Sequence, residues 1–170
     1  VSYTEKPDVG AFMQEWLSLY ESKSGERGIF NREASQRQAS KNGRRRYNDD
    51  FGTNPCSEII LRPYQFCNLT EIVVRTFDNE ESLKRKVFLA TILGTLQSTL
   101  THFPYLRKIW SDNTAEERLL GVSLTGQMDN VALVKGEIDL KALRQVAVDT
   151  NHEYASILGI EPSTAITCTK

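Results

Sequence analysis

The segment 53–58, TNPCSE, places Asn54, Cys56 and Glu58 two residues apart. In extended backbone this spacing directs all three side chains to the same side of the chain. Pro55 fixes its own φ and favours extended geometry at Asn54, which predicts a stiff approach to Cys56. An amide, a thiol that can lose an electron and a proton, and a carboxylate that can accept a proton suit redox chemistry on a hydroxylated substrate.

An inert explanation of the same residues stays open. Cysteine is often a small buried hydrophobe, and a loop glutamate is often simply solvated. The other cysteines, Cys67 and Cys168, form no CxxC pair and have no histidine at ligand spacing, which argues against a disulfide framework and a structural zinc site. We expect Cys168 to be a buried strand cysteine, and we predict no metal site.

Hydrophobic periodicity predicts a helix over 7–22. Its apolar residues recur on one helical face, and their spacing predicts that Trp16 and Tyr20 belong to the core. The following segment 31–58 is polar and without a sustained period, so we predict a long loop there. Loops of that length inside a compact domain are usually functional or disordered.

Strand and helix patterns alternate over 59–170. Apolar β-branched runs predict strands at 59–61 and 69–74, and "RLLGVSLTG" predicts a strand closed by Gly126. Asp78 or Asn79 caps one predicted helix, and a second covers 139–158 and ends at Gly159. Residues 114–117, TAEE, have the form of a capping box. The alternation predicts an α/β fold with largely parallel strands, within one domain over 1–170.

Composition and charge limit the classes of protein. The chain has 170 residues, 39% of them hydrophobic, and a formal net charge of -1, and it has no apolar run of membrane-span length. We expect a soluble, cytoplasmic protein without a membrane partner. It starts without methionine, from which we expect a piece of a longer protein. His102 and His152 have no ligand partner nearby and are expected to be structural.

Residues 23–46 are basic, with eight Lys or Arg against two Glu. One interpretation is a nucleic-acid-binding module that uses this segment as a basic arm. The near-neutral total charge counts against nucleic acid as a partner. The other interpretations are a solvated loop and a contact from "KNGRRR" to a substrate triphosphate or a cofactor.

The segment "NPCSEIILRPYQFCNLTEI" resembles the active-site segment of ribonucleotide reductases. In that family an Asn-Pro-Cys-Gly/Ser-Glu finger loop is followed by a second cysteine in a Cys-Asn-Leu sequence, and Cys67 here follows Cys56 by eleven positions. "RLLGVSLTGQMD" and "AITCTK" resemble further strands of the same barrel. The segment "RPYQFCNLTEIVVR" is most similar to the corresponding segment of the monomeric adenosylcobalamin-dependent class, which reduces ribonucleoside triphosphates.

The resemblance implies a role for each site residue. Cys56 would be the thiyl radical that abstracts the ribose 3′ hydrogen, Glu58 would deprotonate the 3′ hydroxyl, and Asn54 would hold the sugar by hydrogen bonds. Cys67 would be half of the dithiol that supplies reducing equivalents as the 2′ hydroxyl leaves as water. The implied cofactor is adenosylcobalamin, and the implied reductant is an external dithiol such as thioredoxin.

The resemblance also implies an incomplete unit. It implies part of a ten-stranded α/β barrel whose finger loop carries Cys56, with 31–58 containing that loop. The chain has no upstream cysteine to pair with Cys67, no Pro-Ser-Gly-Thr loop and no C-terminal cysteine pair. We therefore expect a partial catalytic domain that is inactive alone and needs the remaining segments of the reductase. One polypeptide of a naturally split reductase is the other possibility.

Overall fold

The computed structural model describes residues 2–3, 5–25, 28–42, 44–55, 57 and 59–167. The chain divides into two compact units, Val1–Pro63 and Tyr64–Lys170, and each is described by itself. Cys168, expected in a buried strand, lies outside the described residues. Whether the units form one functional domain, as the sequence predicted, stays a prediction.

The first unit combines short strands with helices. Its elements in chain order are β1 Ser2–Tyr3, α1 Val9–Ser22, β2 Phe30–Asn31, α2 Arg32–Ala39, a 3-10 turn Ser40–Asn42, β3 Gly52–Thr53 and β4 Ile60–Leu61. β1 pairs with β2 in parallel, and β3 pairs with β4 in antiparallel. Asp8 begins α1 by accepting a hydrogen bond from the Ala11 amide at 3.1 Å.

The apolar face of α1 is exposed, which corrects the prediction that Trp16 and Tyr20 are core residues. Trp16 is 57% exposed and Tyr20 is 74% exposed. Phe12 packs between Tyr3 and Trp16, with ring centroids 6.1 and 6.4 Å away. Periodicity predicts that a helix is amphipathic, but it does not show which element covers the apolar face.

The segment 31–58, predicted as a loop, contains α2 and β3. Asn31 caps α2 by accepting a hydrogen bond from the Ala34 amide at 2.9 Å. Arg32 then ties the first turn of α2 to the chain before β3, because its guanidinium pairs with Asp50 and donates to the Phe51 carbonyl at 3.0 Å. Hydrophobic periodicity does not predict this helix, because its sequence is polar. Capping and ion-pair contacts stabilise it in place of an apolar stripe.

The second unit is built on a three-stranded parallel sheet. Its elements in chain order are β5 Asn68–Val73, α3 Glu80–Gln97, α4 Lys108–Glu117, β6 Leu120–Thr125, a 3-10 turn Gln127–Asp129, α5 Val131–Val134, α6 Leu140–Leu158 and β7 Ile166–Thr167. The strand order is β5-β6-β7, and both pairings are parallel. The prediction of an α/β fold with parallel strands is therefore confirmed, whereas a barrel is not shown.

Helices α3 and α6 pack on each other and on the sheet. The buried cluster between them contains Ile72, Val74, Leu83, Val87, Val122, Leu124, Ile138, Leu143 and Ala147. A second face of α3 is exposed at Leu89 and Leu93, which are 51% and 62% exposed. The sequence of α3 is apolar nearly all round, and the described residues bury only one side of it.

The predicted caps of α3 and α6 and the predicted glycine at the end of β6 are confirmed. Asn79 caps α3 in a reciprocal capping box with Ser82, and Asp139 caps α6, which ends at Gly159 with a φ of 65°. β6 is closed by Gly126, whose φ is 77° and where an added Cβ would lie 2.8 Å from the Val74 carbonyl oxygen. Only glycine combines that dihedral with that approach of two backbones.

Residues 114–117, which have the form of a capping box, begin no helix, and the strand predicted after them is present. These residues form the last turn of α4, a helix that the sequence pattern did not predict. Thr114 is buried, and its hydroxyl accepts a hydrogen bond from the Phe66 amide at 3.3 Å. At the end of a helix, Thr114 makes a tertiary hydrogen bond instead of capping a helix that follows it. No helix in the described part of the chain is long and apolar enough to cross a membrane.

Candidate functional site

The finger-loop motif connects the antiparallel pair β3 and β4. Asn54 bonds the two ends of the connection to each other. Its side-chain Oδ1 accepts a hydrogen bond from the Ile59 backbone amide at 3.1 Å, and its backbone amide donates to the Ile59 carbonyl at 3.4 Å. Phe51 and Ile59, which flank this connection, are 1% and 3% exposed. The loop therefore projects from a buried and hydrogen-bonded base.

The described part of the loop is turned rather than extended. The Ser57 amide donates to the Asn54 carbonyl at 3.0 Å, with Pro55 in the first central position of the turn, where its fixed φ fits. Ser57 has a φ of 63°, which lies in the left-handed region. The prediction of extended backbone through this stretch is wrong at Ser57. Whether the side chains of Asn54, Cys56 and Glu58 share one side stays a prediction.

Cys56 and Glu58 lie outside the described residues, so their proposed roles stay predictions. The structure does describe Asn54, half-buried in the first unit, and Cys67, half-buried in the second. The Asn54 amide oxygen is committed to the hairpin. The Nδ2 group is the part of that amide which remains suited to donate a hydrogen bond to a sugar hydroxyl.

The left-handed backbone of Ser57 leads to a prediction. We expect Ser57→Gly to stabilise the loop by roughly 0.5–1 kcal/mol, because glycine adopts this φ without the Cβ penalty but loses more chain entropy. Hydrogen exchange at the Ile59 amide, which is bonded to Asn54 Oδ1, should slow accordingly. Ser57→Ala is the matched control, since it keeps the Cβ. Equal exchange rates in both variants would contradict the assignment.

Cys67 lies immediately before β5, in a segment bonded on both sides to the end of α4 and the chain that follows it. On one side the Phe66 amide donates to Thr114 Oγ1 at 3.3 Å. On the other the Asn68 amide donates to the Leu119 carbonyl at 2.9 Å. The backbone at Cys67 is therefore held by its two chain neighbours.

The basic segment 23–46 is largely engaged within its own unit. Arg32 pairs with Asp50, Arg37 with Glu33, and Arg45 is only 4% exposed, with its guanidinium 5.1 Å from the Phe51 ring centroid. Paired and buried cations offer little to a phosphate backbone. The nucleic-acid-binding interpretation is not supported. The interpretation of the basic residues in "KNGRRR" as solvated is wrong at Arg45, which is buried.

Sequence reasoning missed a group of polar residues at the carboxyl ends of β5 and β6. Asn130 is fully buried, and its Nδ2 donates to the carbonyls of Arg75 and Asp78 at 2.8 and 2.9 Å. Burial would raise the pKa of Asp78, but hydrogen bonds from Lys86, the Arg75 amide and Ser82 hold that pKa below its ordinary value. The sequence signal for Asn130 was its position before the apolar residues 131–134, as a helix cap.

The described chain has no group of three His, Cys, Asp or Glu side chains that could hold a metal ion. His102 and His152 are both exposed. That adenosylcobalamin is the cofactor stays a prediction.

The described chain is a mixed α/β protein with a buried hairpin base and a cysteine held at the start of a parallel strand. No family model matches it, and no solved structure matches it. Among curated proteins, it is 28% identical over 186 residues to the adenosylcobalamin-dependent ribonucleoside-triphosphate reductase of Lacticaseibacillus paracasei, an alignment that covers 91% of this chain. The chain spans 24% of that relative's length. It is thus distantly similar to a ribonucleotide reductase along most of its own length.

Proposed function

We propose that this chain is part of the catalytic domain of a ribonucleotide reductase that forms deoxyribonucleotides from ribonucleoside triphosphates by thiyl-radical chemistry. The observation that carries the proposal is the similarity to a reductase over 91% of the chain, in a sequence that also contains "NPCSE" and, eleven residues after Cys56, "CNL". The parallel sheet and its covering helices are compatible with a portion of the family's ten-stranded barrel.

The proposed roles balance as a reduction. The Cys56 thiyl radical takes the ribose 3′ hydrogen atom and later returns it, and Glu58 accepts the 3′ hydroxyl proton and gives it back when the 3′ hydroxyl re-forms. Loss of the 2′ hydroxyl as water consumes two electrons and two protons, which Cys67 and a second thiol supply as they form a disulfide. An external dithiol then reduces that disulfide. Asn54 would hold the sugar through Nδ2, since its Oδ1 accepts from the Ile59 amide.

The rigid base of the hairpin suits this chemistry. A radical on sulfur has to be held away from solvent and stray hydrogen donors, and reactivity of this kind depends on orientation. Asn54 and the buried residues Phe51 and Ile59 hold both ends of the loop. Adenosylcobalamin, when bound, would supply the initial oxidation of the cysteine.

The test is an assay of the complete gene product with each ribonucleoside triphosphate, adenosylcobalamin and a dithiol. We expect deoxyribonucleoside triphosphate and one disulfide for each water released. The 170-residue chain alone should form none, and adding the remaining reductase segments should restore product. Absence of deoxyribonucleotide from the complete protein with triphosphates and with diphosphates would remove the proposal.

A further inference from the structure

The four residues around Cys67 are all bonded to residues 113–119. Besides the amides of Phe66 and Asn68, the Tyr64 carbonyl accepts from Asn113 Nδ2 at 3.4 Å. Gln65 Nε2 donates to the Asn113 carbonyl at 3.3 Å and to the Glu117 carboxylate. The chain on both sides of Cys67 is therefore tied to one partner segment, residues 113–119.

Aromatic packing adds to these hydrogen bonds. The Phe66 and Trp110 ring centroids are 4.7 Å apart, and those of Tyr64 and Trp110 are 5.7 Å apart. Tyr64 also has a φ of 58°, a left-handed dihedral that is unfavourable for a tyrosine. Contacts to α4 offset the cost of that dihedral, because they include both its ring and its carbonyl.

Glu117 occupies an unfavourable place for a carboxylate. It is 2% exposed and is the last residue of α4. Burial penalises its charge, and the carboxyl end of a helix repels negative charge. Such violations of local preference concentrate at functional sites. Here the carboxylate accepts a hydrogen bond from Gln65, which is 5% exposed and lies two residues before Cys67.

We propose that Gln65, Thr114 and Glu117 are positioning residues that hold the Cys67 sulfur in place for thiol–disulfide exchange. The inference rests on the proposed function, in which Cys67 and a second thiol form a disulfide. Exchange requires the attacking sulfur, the attacked sulfur and the leaving sulfur to approach in line, so a fixed thiol gains in rate with the correct partner. The same frame keeps the half-buried thiol from reacting with other disulfides.

The test uses the full chain with Cys56→Ser and Cys168→Ser, which leaves Cys67 as the one thiol of the three. Its rate of reaction with a small aromatic disulfide is measured under native conditions across the pH range of thiol ionisation. We expect Gln65→Ala, Thr114→Val and Glu117→Ala each to raise the rate about fivefold to tenfold, the effect of losing one hydrogen bond. Glu117→Gln, which can still accept from Gln65, should stay near the parent rate.

Asn151→Ala is the matched control. Asn151 is a buried amide of the same unit that donates to Thr95 Oγ1 at 3.0 Å and accepts from the Ser163 amide at 2.8 Å. Its loss should lower stability but change the Cys67 rate less than about twofold. The proposal is overturned if Asn151→Ala raises the rate as much as Gln65→Ala, or if Gln65→Ala and Thr114→Val both leave it unchanged. This measurement uses no nucleotide, so its outcome is separate from that of the reductase assay.

Discussion

Replacing Cys56 with alanine in the complete gene product is expected to lower deoxyribonucleotide formation at least about a thousandfold, because a methyl group cannot carry the radical that takes the 3′ hydrogen. Product should be measured as deoxyribonucleoside triphosphate in single and multiple turnover. Both should fail, because hydrogen abstraction precedes every later step.

Cys168→Ala provides the matched control, since it removes another thiol from the same chain. We expect it to keep activity within about threefold, as for a small hydrophobic residue replaced by a similar one. Cys67→Ala should differ from both variants, because in the proposed mechanism it leaves the hydrogen-abstracting cysteine but removes half of the dithiol. Turnover retained in Cys56→Ala would exclude Cys56 as the radical site. Equal loss in Cys168→Ala would show that the effect is general to the thiols.

The elements with an apolar pattern were predictable from the sequence. The helices α3 and α6 follow from their caps at Asn79 and Asp139 and from their apolar residues, and β6 follows from an apolar run closed by Gly126. In each case local propensity, capping and tertiary packing favour the same structure. The parallel pairing of β5, β6 and β7 agrees with the alternation of strands and helices.

The residues of the candidate site were named from the sequence and their roles stay predictions, whereas the turn that ends at Ser57 could not be predicted from it. The two-residue spacing indicated an extended strand, whereas Asn54 and Ser57 close a turn in which Ser57 is left-handed. A short polar segment can form either structure, and the choice depends on bonds to Ile59 beyond the motif. Helix α4 was missed for a related reason, because its buried polar residues Thr114 and Glu117 satisfy distant partners instead of following a periodic pattern.

The stability of the second unit depends on the side chain of Asn130, which the sequence pattern identifies only as a helix cap. Its Oδ1 accepts from the Leu133 amide at 2.9 Å at the start of α5, and its Nδ2 reaches the carbonyls of Arg75 and Asp78. It therefore joins the turn after β5 to the segment after β6. Because Asn130 is 0% exposed, we expect no water to replace these hydrogen bonds when its side-chain amide is removed.

We expect Asn130→Ala to lower the free energy of unfolding of this unit by about 3 kcal/mol, since it leaves the Asp78 carbonyl without its buried donor, removes one of two donors to the Arg75 carbonyl and leaves the Leu133 amide without its acceptor. Asn79→Ala removes an N-cap that is exposed to solvent, and should cost only about 1 kcal/mol. Urea denaturation followed by Trp110 fluorescence, in a Trp16→Phe background, reports on the second unit alone. Asn130→Asp keeps the cap acceptor but loses both donated bonds and buries a charge, so it should not recover stability. If Asn130→Asp had the parent's free energy of unfolding, Asn130 would contribute by capping α5 and not by joining the ends of β5 and β6.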